Sequence, residues 1–566
     1  MSLARFAFLA VPVLLAAQQP VGVAPQPPAN PQPTKPEDLC SVEGQVLNAL
    51  TGEPLKKAQI TMSKDGDSGT EHGTATDAGG RFMVPDLDPG RYYLNANRNG
   101  FAPAQYGARG SNRAGTPISL TAGQHTRDIV LRLTPHGVIA GRVLDEDGEP
   151  VERVQVNTMR YQSFRGKRQL APQGWGVTDD QGEYRIFGLE PGKYYLSARY
   201  QARGFMAAED RTAGGKPDED YVPTYYPGTN DPAGAVSVAV TAGSVLGGTD
   251  ITLRKARTVR VRGRVANGAG EGLPNNIMVR LMPREQLYFG LFANQAARVR
   301  KQDGTFELRG VTPGSYMLVA QWWEEGKGSS VRQPVDVGSN NIDNVSLLLA
   351  PGQDLKGQIH VEGPPGGMQF DSLNVSLEPQ GFLPMGQPNA SVKQDGSFTL
   401  ENVPADTYRV TVNGLQENFY VKGIRMGDTD ALDTGLDLTH GSSGALEIAI
   451  DPNGGQVDGA VQKEDSKPAG GASVLLAPDS NRQQFSLFKT TTTDQYGHFS
   501  IKGVAPGGYK LFAFEQMDWG AYQDPEFLKP HEDKGEAVAI RESSHETTQL
   551  KVIPAEAAPT TKKDGN

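Results

Sequence analysis

The 566-residue sequence predicts an all-β protein: five small antiparallel sandwiches of about seven strands each, set in tandem in an elongated array. Three observations predict it. The first is a unit that occurs five times, centred on Gly80, Gly182, Gly304, Gly396 and Gly497. An aromatic sits two residues after each glycine (Phe82, Tyr184, Phe306, Phe398, Phe499) and an aliphatic four after (Val84, Ile186, Leu308, Leu400, Ile501). An apolar residue sits seven after, and a tyrosine twelve after: Tyr92, Tyr194, Tyr316, Tyr408 and Tyr509. The second is the spacing of about 90 to 120 residues between these glycines, which is domain-sized and too long for a solenoid repeat. The third is composition. Gly 68 and Pro 40 suit short strands joined by turns, and no stretch carries a convincing amphipathic helical pattern.

The N-terminus comes first in the chain. Arg5, the apolar run Phe6 to Leu15, and Ala16-Ala17 read as an export signal over 1–17, too short for a comfortable membrane span. Residues 18–40, rich in Pro, Gln and Ala, read as a disordered, extended spacer ending at the only cysteine, Cys40, an inert or linker thiol with redox or lipid chemistry as the alternative. No later segment has the long uncharged apolar run of a membrane helix. The mature chain is therefore expected to be exported: periplasmic, on the outer cell surface, or secreted.

The sandwiches are expected over 41–134, 136–255, 257–350, 352–452 and 453–554, with a disordered tail over 555–566. Each opens on apolar-x-Gly-x-apolar, as in Val42-Glu43-Gly44-Gln45-Val46 and again around Gly141, Gly263, Gly357 and Gly459. Alternation marks a half-buried strand, and a glycine on its apolar face marks a close backbone approach. A proline turn and a second strand follow, such as Ala58 to Met62 or Ala472 to Leu476. Then comes the central unit. Asp-x-x-Gly or Asp-Gly is turn chemistry, because the carboxylate binds nearby N–H groups and glycine accepts positive φ. The alternating apolar residues make a strand, Pro-Gly a second turn, and the tyrosine opens the next strand. The fourth copy has Ala405-Asp406 in place of Pro-Gly, and a different turn is expected there. A variable excursion and an alternating strand, such as Ile129 to Leu133, close each unit. Connections as short as Thr134-Pro135-His136 predict a semi-rigid, extended rod.

Gly-x-Val, Gly-x-Pro, Thr-Asp-x-x-Gly-x-Phe/Tyr and Leu-x-Pro-Gly-x-Tyr together resemble the carboxypeptidase regulatory-like domains. These are transthyretin-like sandwiches related to collagen-adhesin B repeats and grouped with carbohydrate-binding-like folds. The resemblance covers about 41 to 553, is best in the first two repeats and weakest in the fourth. It implies a fold and carries no activity of its own.

Catalysis finds little support. The eight histidines are scattered with no His-x-x-Glu, so the zinc ligation of a carboxypeptidase has no footing. Asp145-Glu146-Asp147-Gly148 and Asp65-Gly66-Asp67 lack the distal glutamate of a strong calcium loop and read as solvated turns. An isopeptide of the collagen-adhesin kind wants a lysine beside the opening strand, and only Lys356 lies in one. No cofactor or metal is expected. A formal net charge of -10 argues against nucleic acid.

Aromatic side chains in the excursions remain: Tyr106, Tyr225, Tyr226, Trp322, Trp323 and Trp519. Two roles are open to them, covering a sandwich end or a seam between domains, and stacking on sugar rings. The leading expectation is a non-catalytic exported binding or scaffold protein, whose partner is an extracellular carbohydrate or an envelope protein. A purely structural stalk, or an accessory subunit of a peptidase or an outer-membrane transport system, are the alternatives.

Overall fold

The structure, a computed structural model, describes residues 35–555 except 67–70, 109–113, 165–166, 201–218, 269, 271, 285–294, 325–326, 364–367, 381–386, 442–443 and 519. The leader, nearly all of the spacer and the tail beyond 555 lie outside the described residues. Five two-sheet sandwiches follow one another, each around its own apolar interior.

The first shows the plan. Strands β1 (Cys40–Asn48), β2 (Gln59–Lys64), β3 (Glu71–Ala75), β4 (Arg81–Leu87), β5 (Gly90–Asn97), β6 (Ala104–Gln105), β7 (Ile118–Leu120) and β8 (His125–Leu133) divide between two sheets. One has the order β4-β1-β8; the other runs β3-β2-β5-β6, with β7 also on β5. Val42, Val46, Phe82, Val84, Tyr92 and Leu94 alternate into the space between them. Cys40 opens β1 rather than ending a spacer; it is buried, and its thiol lies 3.1 Å from the Thr121 carbonyl.

Three details of the repeat explain its residue types. The opening glycine and the central aromatic are cross-strand partners in every sandwich: Gly44 with Phe82, Gly141 with Tyr184, Gly263 with Phe306, Gly357 with Phe398, Gly459 with Phe499. A Cβ at Gly44, Gly263 or Gly459 would stand 2.3 Å from a carbonyl oxygen of the closing strand and 2.7 Å from that ring, so both the strand and the ring need the glycine. The central glycines all have positive φ, between 68° and 83°. Each closing tyrosine donates its hydroxyl to the carbonyl four residues earlier, at 2.8–2.9 Å, and so locks the turn that introduces its strand. Tyr408 makes the same bond to Pro404, so the fourth turn keeps this fastening without Pro-Gly.

The fourth sandwich departs elsewhere. Tyr420–Met426 and Thr429–Asp430 add two strands beside its closing strand Leu446–Asp451.

Two features add to the expected plan. The sandwiches are antiparallel except for one pair: the opening strand lies parallel to the closing strand, as in β1 and β8, in all five. The chain therefore enters a sandwich at one end and leaves at the other, which lets units follow head to tail without a return connection. The first and last sandwiches of the array also touch. The Ser119 N–H donates to Gln495 Oε1 and Gln495 Nε2 to the Ser119 carbonyl, both at 3.0 Å. The Ser119 hydroxyl donates to Asp494 Oδ2 at 3.0 Å, and the Arg91 guanidinium to the Thr492 carbonyl. The physical reason lies at the joints, where short connections are reinforced by side chains that fix an angle. Arg332 pairs with Asp406 and Asn402 donates to the Gly328 carbonyl between the third and fourth sandwiches. Lys502 pairs with Glu417 at 2.6 Å between the fourth and fifth. Strand Val154–Phe164 of the second also packs on the turn Ala521–Gln523 of the fifth.

Candidate functional site

The excursion aromatics are drawn to separate interiors. Tyr106 packs on the first core, Tyr226 on the second, and Trp322 on the third. Tyr225 is buried on strand Thr224–Tyr225, opposite Ser197. Trp322 Nε1 is buried without a hydrogen-bond partner. Trp323 pairs through its backbone with Gly328, its side chain lying outside the described residues, as does the whole of Trp519. The four described rings thus sit as covers over three sandwiches and do not converge. The acidic turn at Asp145 binds its own backbone, accepting from the Asp147 and Glu149 N–H groups at 2.9 Å. Lys356 is exposed. Among the described residues no group of three or more His, Cys, Asp or Glu side chains could hold a metal ion.

The groups that do converge are polar, and they lie where the last sandwich meets the first. An open cleft of about 890 Å³ is lined there by Arg91 of β5 and by the outer face of the fifth sandwich's opening sheet. Alternation places the floor. Val457 and Gly459 point inward along Gly455–Gln462, so Asp458 points out, and so does its neighbour Ser500 on His498–Val504. Thr547 flanks Asp458 on the other side. Asp458 Oδ2 accepts from Gln456 Nε2 at 2.8 Å and lies 2.5 Å from His545 Nε2. Its other oxygen, Oδ1, is buried, and so is the Ser500 Oγ beside it. Burial pushes the Asp458 carboxyl up. The nearby Ser500 hydroxyl, Gln456 and His545 outweigh it and hold the group below the usual carboxylate range.

The turn Asp494–Gly497 forms the wall next to the first sandwich. Asp494 Oδ1 accepts from the Tyr496 and His498 N–H groups at 2.9 Å, leaving Oδ2 for Ser119. His498 lines the cleft, and the exposed Tyr496 ring lies 6.3 Å from its ring. Arg91 Nε, 3.3 Å from Asp65 Oδ2, is a further buried atom without a hydrogen bond. On its other side the same junction is tight: a Cβ on Gly471 would collide with the Thr116 hydroxyl.

Sequence reasoning missed this cleft. Its one signal is the outward slot before the opening glycine, which holds Glu43, Ala140, Arg262, Lys356 and Asp458 in turn. A charge in that slot reads as a solvated face, and nothing local announces that Arg91 closes over the fifth copy.

Comparison with known proteins fits the first unit most directly. Residues 41–134 match the carboxypeptidase regulatory-like domain. The serine-aspartate repeat-containing protein D of Staphylococcus aureus strain Newman is 26% identical over 136 residues, 22% of this chain. The match spans 10% of that protein's length. Among solved structures, the minor pilin of Streptococcus agalactiae aligns over 38% of this chain and 96% of its own, with 14% identity and a TM-score of 0.24. The major pilin subunit of Bacillus cereus aligns over 55% and 99%, with 11% identity and a TM-score of 0.14.

Proposed function

We propose, from a chain whose first sandwich is a carboxypeptidase regulatory-like domain and whose other four repeat its plan, that the protein is a non-catalytic exported scaffold that contacts carbohydrate or an envelope protein at the cell surface. The observation that carries this reading is the division of labour between residue types. The repeated rings and aliphatics are spent on five interiors. The polar groups that converge do so at a seam between domains, where ligand sites favour forming. Among the described residues no helix is long and apolar enough to cross a membrane.

The six excursion aromatics enter this reading unequally. Tyr106, Tyr225, Tyr226 and Trp322 hold the scaffold together, while Trp323 and Trp519 stay as candidate contacts to sugar rings. Expression with the native leader, followed by fractionation and N-terminal sequencing, is expected to recover a chain cut near Ala17 outside the cytoplasm. The purified mature chain is expected to sediment with isolated cell envelope and to give signals on a glycan array, reduced by Trp519→Ala. Cytoplasmic retention, or a chain that binds neither envelope nor glycan, overturns the binding reading and leaves a spacer.

A further inference from the structure

We infer that the outer face of the third sandwich's opening sheet is a docking surface for an anionic polysaccharide, a chain with carboxylates on its sugars, which a row of arginines grips. This deepens the binding half of the proposed function, on which it rests, by naming the chemistry of the partner.

Alternation makes the row. Along strand Val259–Asn267 the residues Val259, Val261, Gly263 and Val265 face inward, so Arg260, Arg262 and Arg264 all face out. Neighbours in such a row stand about 7 Å apart. At the same three outward positions the other four opening strands hold one arginine and one lysine between them, Arg142 and Lys356. Nothing in the shared fold therefore asks for a cation there. Arg309 adds a fourth guanidinium from the neighbouring strand Thr305–Val311. Arg300 adds a fifth: its N–H donates to the Thr305 carbonyl at 2.9 Å, and Thr305 is the cross-strand partner of Arg264.

The face carries more positive charge than it neutralises. Glu307 takes Arg260, Arg262 and Arg309, and Asp343 takes Arg262. Strand Glu219–Val222 of the second sandwich borders the face, but its Glu219 stands across from Arg257. Arg264 and Arg300 are exposed, and neither forms an ion pair among the described residues. Asp303, whose charge both feel, spends one oxygen on the Thr305 N–H and hydroxyl. The imbalance extends to the whole sandwich. Residues 257–350 hold 12 Lys and Arg against 8 Asp and Glu, in a chain of net charge -10. The flanking stretches run the other way, 14 against 16 over 136–255 and 5 against 14 over 352–452. A positive patch on an acidic molecule draws anions to that patch alone.

Residue type and surroundings select the anion. The five cations are all arginine, whose planar fork meets a carboxylate through two parallel bonds, where lysine would serve a point charge. Glu307, held by three of them, shows a carboxylate seated on this face. The acidic sandwiches on either side repel an extended anionic sheet such as a membrane, while a single thin chain can lie across one sandwich. The three strands of the face turn no aromatic ring outward on which a nucleic-acid base would stack.

The test uses the whole mature chain at low salt without divalent cations. Polygalacturonate is the probe, and its methyl ester, phosphatidylglycerol vesicles and duplex DNA are the comparisons. Affinity electrophoresis is expected to show retardation by polygalacturonate only, fading as salt is raised. Arg264→Gln with Arg300→Gln is expected to weaken binding about tenfold, the yield of two exposed charge pairs. Lys463→Gln with Lys551→Gln removes the same charge from exposed positions on the fifth sandwich and is expected to leave binding unchanged. All four side chains are exposed, so an unchanged thermal midpoint is expected in both variants. Equal loss in the two variants overturns the inference, as does equal binding of the methyl ester or a preference for vesicles or DNA. Salt-sensitive self-association that Arg264→Gln with Arg300→Gln abolishes, with no polymer bound, overturns it too, because the occupant is then a second copy. If polygalacturonate is not bound and the protein still sediments with envelope, the proposed function stands without this face. Polygalacturonate binding with no envelope or glycan-array signal would sink the broader reading instead.

Discussion

Phe306 and Gly263 state the repeat in its smallest form. The ring is buried and lies across from a glycine whose missing side chain gives it room. Phe306→Ala is expected to cost the third sandwich about 3–5 kcal/mol, measured by denaturant titration of the full chain with hydrogen exchange reporting on 259–349. Gly263→Ala is expected to cost about 1–3 kcal/mol, because the new methyl would stand 2.3 Å from the Val345 carbonyl oxygen and 2.7 Å from the ring. The double variant is expected to cost only slightly less than the sum, since removing the ring relieves one clash and leaves the methyl against the Val345 carbonyl. Strict additivity would mean that the Val345 carbonyl alone opposes the methyl. Tyr408→Phe is expected to cost about 1 kcal/mol through the lost bond to Pro404. Much of this was legible. Glycine on the apolar face announced a close approach, and the constant offsets of ring and tyrosine announced a shared interior. The tyrosine's hydroxyl was not legible, because its acceptor is a backbone carbonyl that any residue supplies.

At the scale of elements, alternation predicted the strands well and their direction poorly. A strand's apolar period is the same whether its neighbour runs with it or against it, so the parallel seating of β8 on β1 left no mark in the sequence. The same limit hid the site. Tyr106, Tyr225 and Trp322 follow the last core residues of their strands, where an exposed platform and an inward cover have the same spacing. The outward faces also carry charge with consequences. Glu307 on strand Thr305–Val311 is approached by Arg309 at 3.0 Å, Arg262 at 3.3 Å and Arg260 at 3.5 Å. Burial pushes its carboxyl up, but Arg309 and Arg262 outweigh that and hold it below its usual range. A folded pKa below the unfolded one contributes stability above the unfolded value, and that contribution is lost as pH falls through the folded one. The thermal midpoint of the third sandwich is therefore expected to drop between about pH 5 and pH 3, and Glu307→Gln to flatten that drop while lowering the midpoint at neutral pH. An equal pH slope in both proteins would remove Glu307 from the account.

The whole molecule is where sequence reasoning stopped short. Short linkers imply restrained joints, but restraint is not straightness, and pairs such as Arg332–Asp406 that no repeat encodes lie at the joints. The contacts that join the first and last sandwiches are few and polar, the kind of seam that opens readily. Arg91→Ala with Ser119→Ala is expected to raise the radius of gyration in X-ray scattering and leave the far-ultraviolet circular dichroism unchanged. An unchanged radius would show that the remaining contacts alone keep the ends together. One feature of each sandwich bears on what happens when such a molecule is pulled. A tether at Cys40 and another at Leu133 grip β1 and β8 at opposite ends of a parallel ladder, so tension slides one strand along the other. The ladder's hydrogen bonds then resist together instead of unzipping in turn. Five such clamps in series would let the chain stretch under tension by opening its end-to-end seam before any unit gives way.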